Sequence, residues 1–235
     1  MLSLVPTPIG HLQDITLRAL EILKGADVIF AEDTRHTRNL CLHYQIHTPL
    51  ESFHQHNEHQ KLEDVISQLR SGRHIAMVTD AGTPGISDPG FLLVRRCREE
   101  NLPVQVLPGP TALIPAVVTS GFPCNRFHFE GFMPPKKGRQ TRWKFLADYP
   151  FTFVLYESPH RLLKTIEQLN AWMPGRQAAV VRELSKVHEE VTRGTAAELL
   201  NIYRQRASVK GEIVLVVAPQ PELLLKPGGE LDFEE

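Results

Sequence analysis

Long apolar runs and paired cysteines are both missing from this sequence of 235 residues. Its longest apolar stretches, such as residues 213–218, fall far short of the ~18–20 residues that a membrane span needs, so we expect no membrane partner. The three cysteines, at positions 41, 97 and 124, form no C-x-x-C pair and suit neither a disulfide framework nor a zinc ribbon. Because residues 1–6 have the pattern of a strand rather than a signal peptide, we expect a reduced, cytoplasmic protein.

Two nucleotide-binding fingerprints are absent as well. The chain contains neither G-x-G-x-x-G nor G-x-x-x-x-G-K-[ST], which argues against a Rossmann-type dinucleotide enzyme and a P-loop nucleoside triphosphatase. It does contain a long loop rich in glycine and proline, residues 80–90, directly after a predicted strand. Glycines let the backbone approach a ligand, prolines stiffen the loop, and Asp80 and Asp88 can bond ribose hydroxyls or cap a helix. The loop therefore predicts a site for a nucleoside-containing ligand without a heavily phosphorylated group.

The net charge of −1 is unevenly distributed along the chain. Residues 220–235 hold five acids and one base, which leaves 25 basic and 22 acidic residues in the rest of the chain. Five basic residues and no acidic one lie between positions 132 and 144, namely Lys136, Lys137, Arg139, Arg142 and Lys144. We interpret this segment as a phosphate-contacting patch, with a solvated loop as the alternative. The charge permits an RNA substrate without requiring one.

Short apolar strands alternate with amphipathic helices along most of the chain. In the first half, strands at 2–6, 27–31, 74–78 and 104–107 predict a parallel sheet with helices on both faces, the first helix capped by Asp14. In the second half, strands at 126–131, 152–156, 178–182 and 212–218 predict a further α/β unit with a mixed sheet. We expect domains at 1–110 and 111–219, followed by an acidic, mobile tail at 220–235.

Polar segments follow several other predicted strands. They are residues 7–10, 32–35, 108–112, 156–161 and 182–186. Each has a purely structural explanation, since Ser158 can cap a helix and Arg182 can form an ion pair. Because ligands of open α/β sheets bind beyond the carboxyl ends of the strands, the segments together favour one composite cleft between the two halves.

Six segments carry a resemblance to a known family: VPTPIG at 5–10, AEDTR at 31–35, the loop at 80–90, PGP at 108–110, ESPHR at 157–161 and REL at 182–184. From about residue 4 to residue 218 the chain resembles the ribosomal RNA small-subunit methyltransferase I family of the tetrapyrrole-methylase superfamily. The resemblance implies two α/β domains with a cleft for S-adenosylmethionine between them, and a homodimer. It also implies 2′-O-methylation of a cytidine ribose in the decoding region of small-subunit (16S) rRNA, either free or in the assembled small ribosomal subunit.

The resemblance also implies roles for individual residues. Those expected around the cofactor are Pro8, Asp80, Ala81, Gly82, Thr83, Ile86, Thr111, Ala112 and Tyr156. The catalytic and substrate-binding candidates rest on the residues themselves, because they are ionisable side chains at or near predicted strand and helix ends or in the basic and histidine-rich segments. Those expected to be catalytic are Glu32, Asp33, Arg35, Glu183 and Lys186. Those expected to bind the substrate are His54, His56, Glu58, Lys136, Lys137 and Arg161. We hypothesise that one of the carboxylates, or Lys186 if its pKa is lowered, takes or orients the 2′-hydroxyl proton. For residues 32–35 the alternative is helix capping plus an ion pair.

Histidines and aromatic residues allow two further interpretations. His54 and His56 would point to one side of a strand, but no complete ligand set accompanies them, so we expect no metal. RNA contact, or a polar helix start near Asn57, is the preferred explanation. Aromatic side chains that could stack on a splayed base are Phe127, Phe129, Phe132 and Trp143. Because Phe127 and Phe129 alternate in a strand, at least one of them is expected in the core.

Two other functions stay open at this point. One is methylation of a small tetrapyrrole-like molecule, since the superfamily shares the cofactor cleft. The other is a non-catalytic RNA-binding protein that has kept the fold, although the intact loop at 80–90 argues against it.

Overall fold

The computed structural model describes residues 1–220, which form two compact units. Unit 1 comprises residues 1–111 and unit 2 begins at Ala112, one residue after the predicted boundary. The predicted acidic tail lies outside the described residues except for Gln220. In the described part of the chain, no helix is both long enough and apolar enough to cross a membrane.

Unit 1 contains a parallel sheet, as predicted, with five short strands instead of the four that the apolar runs indicated. The strands are β1 (Leu2–Leu4), β2 (Val28–Ala31), β3 (Leu50–Ser52), β4 (Ile75–Val78) and β5 (Val104–Val106). The helices are α1 (Leu17–Gly25), α2 (Thr34–His43), α3 (Glu58–Arg70) and α4 (Phe91–Glu99). The strand order is β3-β2-β4-β1-β5, and every pairing is parallel.

Helices cover both faces of this sheet. On β2, Ile29 and Ala31 face the core shared with α1 and α2, whereas Val28 and Phe30 face the core shared with α3 and α4. This alternation explains why the strands are apolar at every position. The predicted cap of α1 is wrong, because the Thr16 hydroxyl, not Asp14, accepts from the Ala19 N–H at 3.0 Å.

The order of the strands indicates where a ligand can bind, at the carboxyl ends of the central strands. β4 lies between β2 and β1. The chain leaves β1 and β2 towards α1 and α2 on one face, and it leaves β4 towards α4 on the other. Where connections from neighbouring strands diverge in this way, open α/β sheets bind their ligands. The loop at 80–90 follows β4 and therefore lies at this point.

Unit 2 is built around a mixed sheet, as predicted, with five strands instead of the four that were expected. The strands are β6 (Phe127–Phe132), β7 (Thr152–Glu157), β8 (Gln177–Arg182), β9 (Glu190–Thr195) and β10 (Ile213–Val217). The helices are α5 (Leu113–Ser120), α6 (Arg139–Asp148), α7 (Leu162–Trp172) and α8 (Ala196–Arg204). The order is β6-β7-β10-β8-β9, in which only β6 and β7 are parallel.

The two faces of the second sheet are covered unequally. Helices α6, α7 and α8 pack on one face around the fully buried Trp143 and Tyr203, whereas α5 packs on the other through Ala116 and Val117. The pairing of β6 with β7 is interrupted by an irregularity between Phe129 and Gly131. Such bulges redirect the side chains of an edge strand.

Candidate active site

The loop at 80–90 is joined to the segment after β1 by a two-residue bridge. The Thr7 N–H donates to the Gly82 carbonyl at 3.0 Å, and the Gly82 N–H donates to the Thr7 carbonyl at 2.9 Å. Gly82 has φ +79°, in the left-handed region that favours glycine, while a Cβ there would meet Ile9 only at an ordinary 3.6 Å. The backbone conformation, rather than crowding, is what requires glycine at this position.

A third segment, after β5, joins the same group of loops. The Thr83 hydroxyl donates to the Pro110 carbonyl at 3.2 Å. A Cβ on Gly109 would lie 2.8 Å from the Cβ of Pro6, so glycine is needed for the close approach of these two segments. The segments after β1, β4 and β5 therefore form one interlocked set of loops.

Seven of the nine predicted cofactor residues lie in these three loops. They are Pro8, Asp80, Ala81, Gly82, Thr83, Ile86 and Thr111. The other two belong to unit 2, where Ala112 precedes α5 and Tyr156 lies on β7. The Tyr156 ring packs edge-on against Phe129 and Phe132, at centroid distances of 4.9 and 5.7 Å.

Three carboxyl groups lie close together at the carboxyl ends of β2 and β4. We call Glu32, Asp80 and Asp88 the acidic group. Burial, and then the charges of Glu32 and Asp80, raise the pKa of Asp88 to about 7. Burial and the charge of Asp80 also raise the pKa of Glu32. The Asp33 N–H donates to Asp80 Oδ1 at 3.0 Å, which ties the end of β2 to the loop.

Asp33 and Arg35 form a helix cap and an ion pair, which was the alternative to a catalytic role for residues 32–35. Asp33 Oδ1 accepts from the Arg35 N–H at 2.8 Å and so caps α2, and the Arg35 guanidinium lies 2.7 Å from Asp33 Oδ2. The hydrogen bonds from Arg35 hold the pKa of Asp33 well below its usual range. Of the predicted catalytic residues in unit 1, Glu32 alone belongs to the acidic group.

The histidine segment forms a turn before α3, so His54 and His56 do not lie along one side of a strand. The His54 N–H donates to Asn57 Oδ1 at 2.8 Å, and α3 begins at Glu58 as expected. Nδ1 of His54 is buried without a hydrogen-bond partner, and its ring lies 6.0 Å from that of His56. The buried Glu58 accepts from the Gly90 N–H at 3.2 Å. This bond holds the far end of the loop at 80–90.

In unit 2, Lys186 is surrounded by acids. Its Nζ lies 3.0 Å from Glu183 and 3.1 Å from Glu212. Burial alone would lower the pKa of Lys186, but hydrogen bonds to both carboxylates outweigh it, and the pKa is raised. The hypothesis that Lys186 is a base of lowered pKa is therefore wrong. The lysine stays protonated at neutral pH.

The segment that carries Lys186 has an unusual backbone. Glu183 and Ser185 have φ of +52° and +63°, which residues other than glycine rarely adopt. Glu183 Oε1 accepts from the Glu212 N–H at 2.9 Å, and a Cβ on Gly211 would collide with the Glu183 carboxyl group. Strained backbone of this kind collects at functional sites.

Arg161 is anchored inside unit 2. Its guanidinium donates to the Met133 carbonyl at 2.6 Å and lies 3.3 Å from Glu157. Glu157 is buried and also accepts from the Thr165 hydroxyl at 2.5 Å and from the Ser158 N–H at 2.9 Å. The charge of Arg161 is therefore paired with the Glu157 carboxylate within unit 2.

The basic segment contains α6 instead of a loop, and two of its five cations are used internally. Arg139 is buried and donates to Gln168 and Thr165 at 2.6 and 2.8 Å. Arg142 pairs with Glu130. Trp143 is fully buried, so the expectation that it stacks on a base is wrong. The exposed cations of the segment are Lys136, Lys137 and Lys144.

Comparisons with known proteins identify the family. A sequence profile described as Tetrapyrrole (Corrin/Porphyrin) Methylases matches residues 1–200. The chain is 47% identical to "Ribosomal RNA small subunit methyltransferase I" of Synechocystis, over 93% of this chain and 78% of the relative. The relative of the same name from Thermotoga maritima is 42% identical, over 92% of this chain and 97% of the relative. The chain belongs to the ribosomal RNA small subunit methyltransferase I family.

Solved structures agree with this fold. Diphthine synthase superposes with a TM-score of 0.73 at 14% identity, covering 93% of this chain and 89% of the other. Uroporphyrin-III C-methyltransferase from Thermus thermophilus, solved with S-adenosyl homocysteine, superposes with a TM-score of 0.63 at 18% identity, covering 92% and 96%. Membership of the small subunit methyltransferase I family makes the chain a methyltransferase, which confirms the family, the fold and the enzyme class that the sequence predicted.

Within this methyltransferase the structure adds contacts of the candidate site that the motifs did not reveal. The raised pKa of Asp88 results from burial and from the charges of two carboxylates, which are 8 and 56 positions away in the chain. The bond from Gly90 to Glu58 and the packing of Gly211 on Glu183 join residues that are about 30 positions apart. Their only signal in the sequence is the residue type, and a lone glycine or acid is too common to identify such contacts.

Proposed function

We propose that this methyltransferase transfers a methyl group from S-adenosylmethionine to the 2′-hydroxyl of a cytidine in the decoding region of 16S rRNA. The rRNA substrate is supported by the 47% identity, over 93% of the chain, to a relative that is named as an rRNA methyltransferase. The position and the 2′-oxygen follow from the resemblance of the motifs to the family. The enzyme is cytoplasmic and acts as a homodimer. Gel filtration with light scattering tests the oligomeric state.

The residues of unit 1 fit the methyl donor. The donor carries a positive charge at sulfur, and the acidic group provides carboxylates of the opposite sign at the carboxyl ends of β2 and β4. The left-handed Gly82, fixed by its bridge to Thr7, presents backbone instead of a side chain. The residues proposed to hold it are the seven in the loops of unit 1, together with Ala112 and Tyr156. When bound, S-adenosylmethionine supplies an electrophilic methyl group on its sulfonium.

Glu32 is the proposed general base. Its raised pKa makes the carboxylate a better proton acceptor at neutral pH than an ordinary glutamate. Glu32 would accept the hydrogen bond of the 2′-hydroxyl and take its proton. The oxygen would gain the methyl group as the methyl–sulfur bond breaks, with neutral S-adenosylhomocysteine as the leaving group. Positioning of the acceptor oxygen supplies a further part of the rate, since alignment alone contributes up to ~7–11 kcal/mol in favourable cases.

Other predicted residues of unit 1 act around Glu32. His54, which lies within electrostatic reach of Glu32, and the exposed His56 contact the ribose and its phosphate. Arg35, whose side chain is 89% exposed, contacts a phosphate while Asp33 keeps it in place. Glu58 positions the loop at 80–90 through Gly90.

Predicted residues of unit 2 bind the RNA instead of moving its proton. Lys186, protonated between Glu183 and Glu212, provides a fixed cation for the substrate. Glu183 holds the strained segment that carries it. Lys136 and Lys137 contact phosphates, and Arg161 supports the end of β7.

Transfer of tritiated methyl groups to small ribosomal subunits from a strain lacking this activity tests the proposal. The wild type should label a cytidine ribose of 16S rRNA. Glu32→Gln should lower the turnover at saturating S-adenosylmethionine at least 100-fold, as removal of a general base does. Glu21→Gln, an exposed acid on α1, is the control and should be as active as the wild type.

Three results would contradict the proposal. Unchanged turnover of Glu32→Gln would exclude Glu32 as the base. Label in a porphyrin precursor but not in RNA would assign the enzyme to small-molecule methylation. Absence of both heat and thermal shift with S-adenosylmethionine would favour a non-catalytic binding protein.

A further inference from the structure

The two units carry opposite charges. Residues 1–111 contain 10 basic and 13 acidic residues, whereas residues 112–220 contain 15 basic and 9 acidic ones. Positive charge is therefore concentrated in unit 2, although the chain as a whole is close to neutral. A polyanion is attracted to unit 2 and repelled by unit 1.

Part of this charge lies on the solvent side of α6 and on the turn before it. Lys136, Lys137 and Lys144 are exposed, and within residues 1–220 none of the three forms an ion pair. Phe145, the residue after Lys144, is 44% exposed. We call these four residues the α6 surface. Its buried side, with Trp143 and Leu146, faces the core.

The Phe145 ring is held from several sides. The Arg142 guanidinium lies 4.8 Å from the ring centroid, and the rings of His128 and Tyr149 lie at 5.6 and 6.0 Å. Glu130 in turn binds both Arg142 and His128. The ring is therefore fixed in place, yet nearly half of it faces solvent among cations.

We propose that the α6 surface binds single-stranded RNA, with the lysines on phosphates and Phe145 stacked on an unpaired base. This inference rests on the proposed function and adds a docking surface to it. Fixed aromatic rings beside positive charges are the usual elements of single-strand recognition. A second copy of the chain fits less well, because a symmetric contact would bring the lysines of one copy against the same lysines of the other.

Binding of a fluorescent single-stranded oligonucleotide with the decoding-region sequence, measured over a range of salt concentrations, tests the charges. The double variant Lys137→Ala/Lys144→Ala should bind more weakly and reduce the slope of log K against log salt by ~1.4, or ~0.7 per phosphate contact. Lys24→Ala/Lys210→Ala removes the same charge from exposed positions elsewhere and should keep the slope of the wild type.

Three substitutions of Phe145 test the stacking. Phe145→Ala and Phe145→Leu should weaken binding 5- to 150-fold, corresponding to ~1–3 kcal/mol per stacked base, without changing the salt slope. Phe145→Tyr keeps a ring and should bind like the wild type. The affinity for S-adenosylmethionine should be unchanged in all variants, which shows that they are folded.

The results separate this proposal from the function it rests on. If the wild type methylates rRNA while the variants keep its RNA affinity and salt slope, the α6 surface is not the docking site and the proposed function stands. If Phe145→Leu changes the oligomeric state but not RNA binding, the surface contacts a second copy and the proposal is overturned. If the wild type neither binds nor methylates RNA, both proposals fail.

Discussion

Replacement of Asp88 by asparagine should stabilise the protein, and by more at pH 8 than at pH 5. In the folded chain, burial and the charges of Glu32 and Asp80 raise the pKa of Asp88 to about 7, whereas an unfolded aspartate has a pKa of ~3.9. Between these values the folded state keeps a proton that the unfolded state has lost. Stability therefore falls as the pH rises towards 7, and asparagine avoids this loss.

The size of the effect follows from the pKa of Asp88. One pKa unit corresponds to ~1.4 kcal/mol, so a fully buried group would lose ~2.7 kcal/mol between pH 5 and pH 7. Solvent reaches part of Asp88, and screening reduces the loss to ~1 kcal/mol. The stability difference between Asp88→Asn and the wild type should grow by about this amount. All other titrating groups are shared by the two proteins, so most of their contribution cancels.

Urea unfolding at pH 5 and pH 8, followed by circular dichroism, provides the measurement. Both tryptophans, Trp143 and Trp172, lie in unit 2, so fluorescence would report on the wrong unit. Hydrogen exchange of Ile75–Val78, the strand before the loop, reports on unit 1 directly. Asp64→Asn, a substitution at an exposed position of α3, is the control. Its difference in stability from the wild type should not grow with pH. A difference for Asp88→Asn that stays constant or shrinks as the pH rises would refute the reasoning.

Two further substitutions test the loops and the ion pairs. Gly82→Ala should weaken S-adenosylmethionine binding about tenfold in calorimetry, because left-handed backbone costs a residue with a Cβ ~1–2 kcal/mol. Gly72→Ala, with φ +91° at the other end of β4, should leave binding unchanged, and equal loss in both would contradict the role of the loop. Glu190→Gln should destabilise unit 2 by ~1–2 kcal/mol in urea titrations followed by tryptophan fluorescence, since Arg182 and Arg206 lose a shared carboxylate. An unchanged midpoint would show that these partly buried pairs contribute little.

Strands with continuous or alternating apolar residues could be predicted, and strands of mixed polar sequence could not. All four residues of β2 and of β4 are buried, and their apolar runs predicted the strands. β3 and β9 have no fully buried residue, and their mixed polar sequences gave no strand signal. Helix α6 was missed because one of its buried residues is Arg139, whose charge is satisfied by hydrogen bonds that only the folded chain provides.

The site shows a similar division. The loop at 80–90 could be predicted because its glycines and prolines all lie within one short segment of the sequence. The protonation states could not, since they depend on distances between separate segments. Lys186 illustrates this point: its pKa is raised by Glu183, three residues away, and also by Glu212, which is 26 residues away in the chain and lies 3.1 Å from it.

The opposite charges of the two units fit the two substrates of the proposed reaction. The methyl donor is a cation and the RNA is a polyanion, so a surface that attracts one repels the other. Unit 1 combines a net negative charge with the acidic group, and unit 2 combines a net positive charge with the exposed lysines of the α6 surface. The proton on Asp88 limits the negative charge of the acidic group below pH 7. The group can therefore hold a cation without presenting three full negative charges to an approaching phosphate backbone.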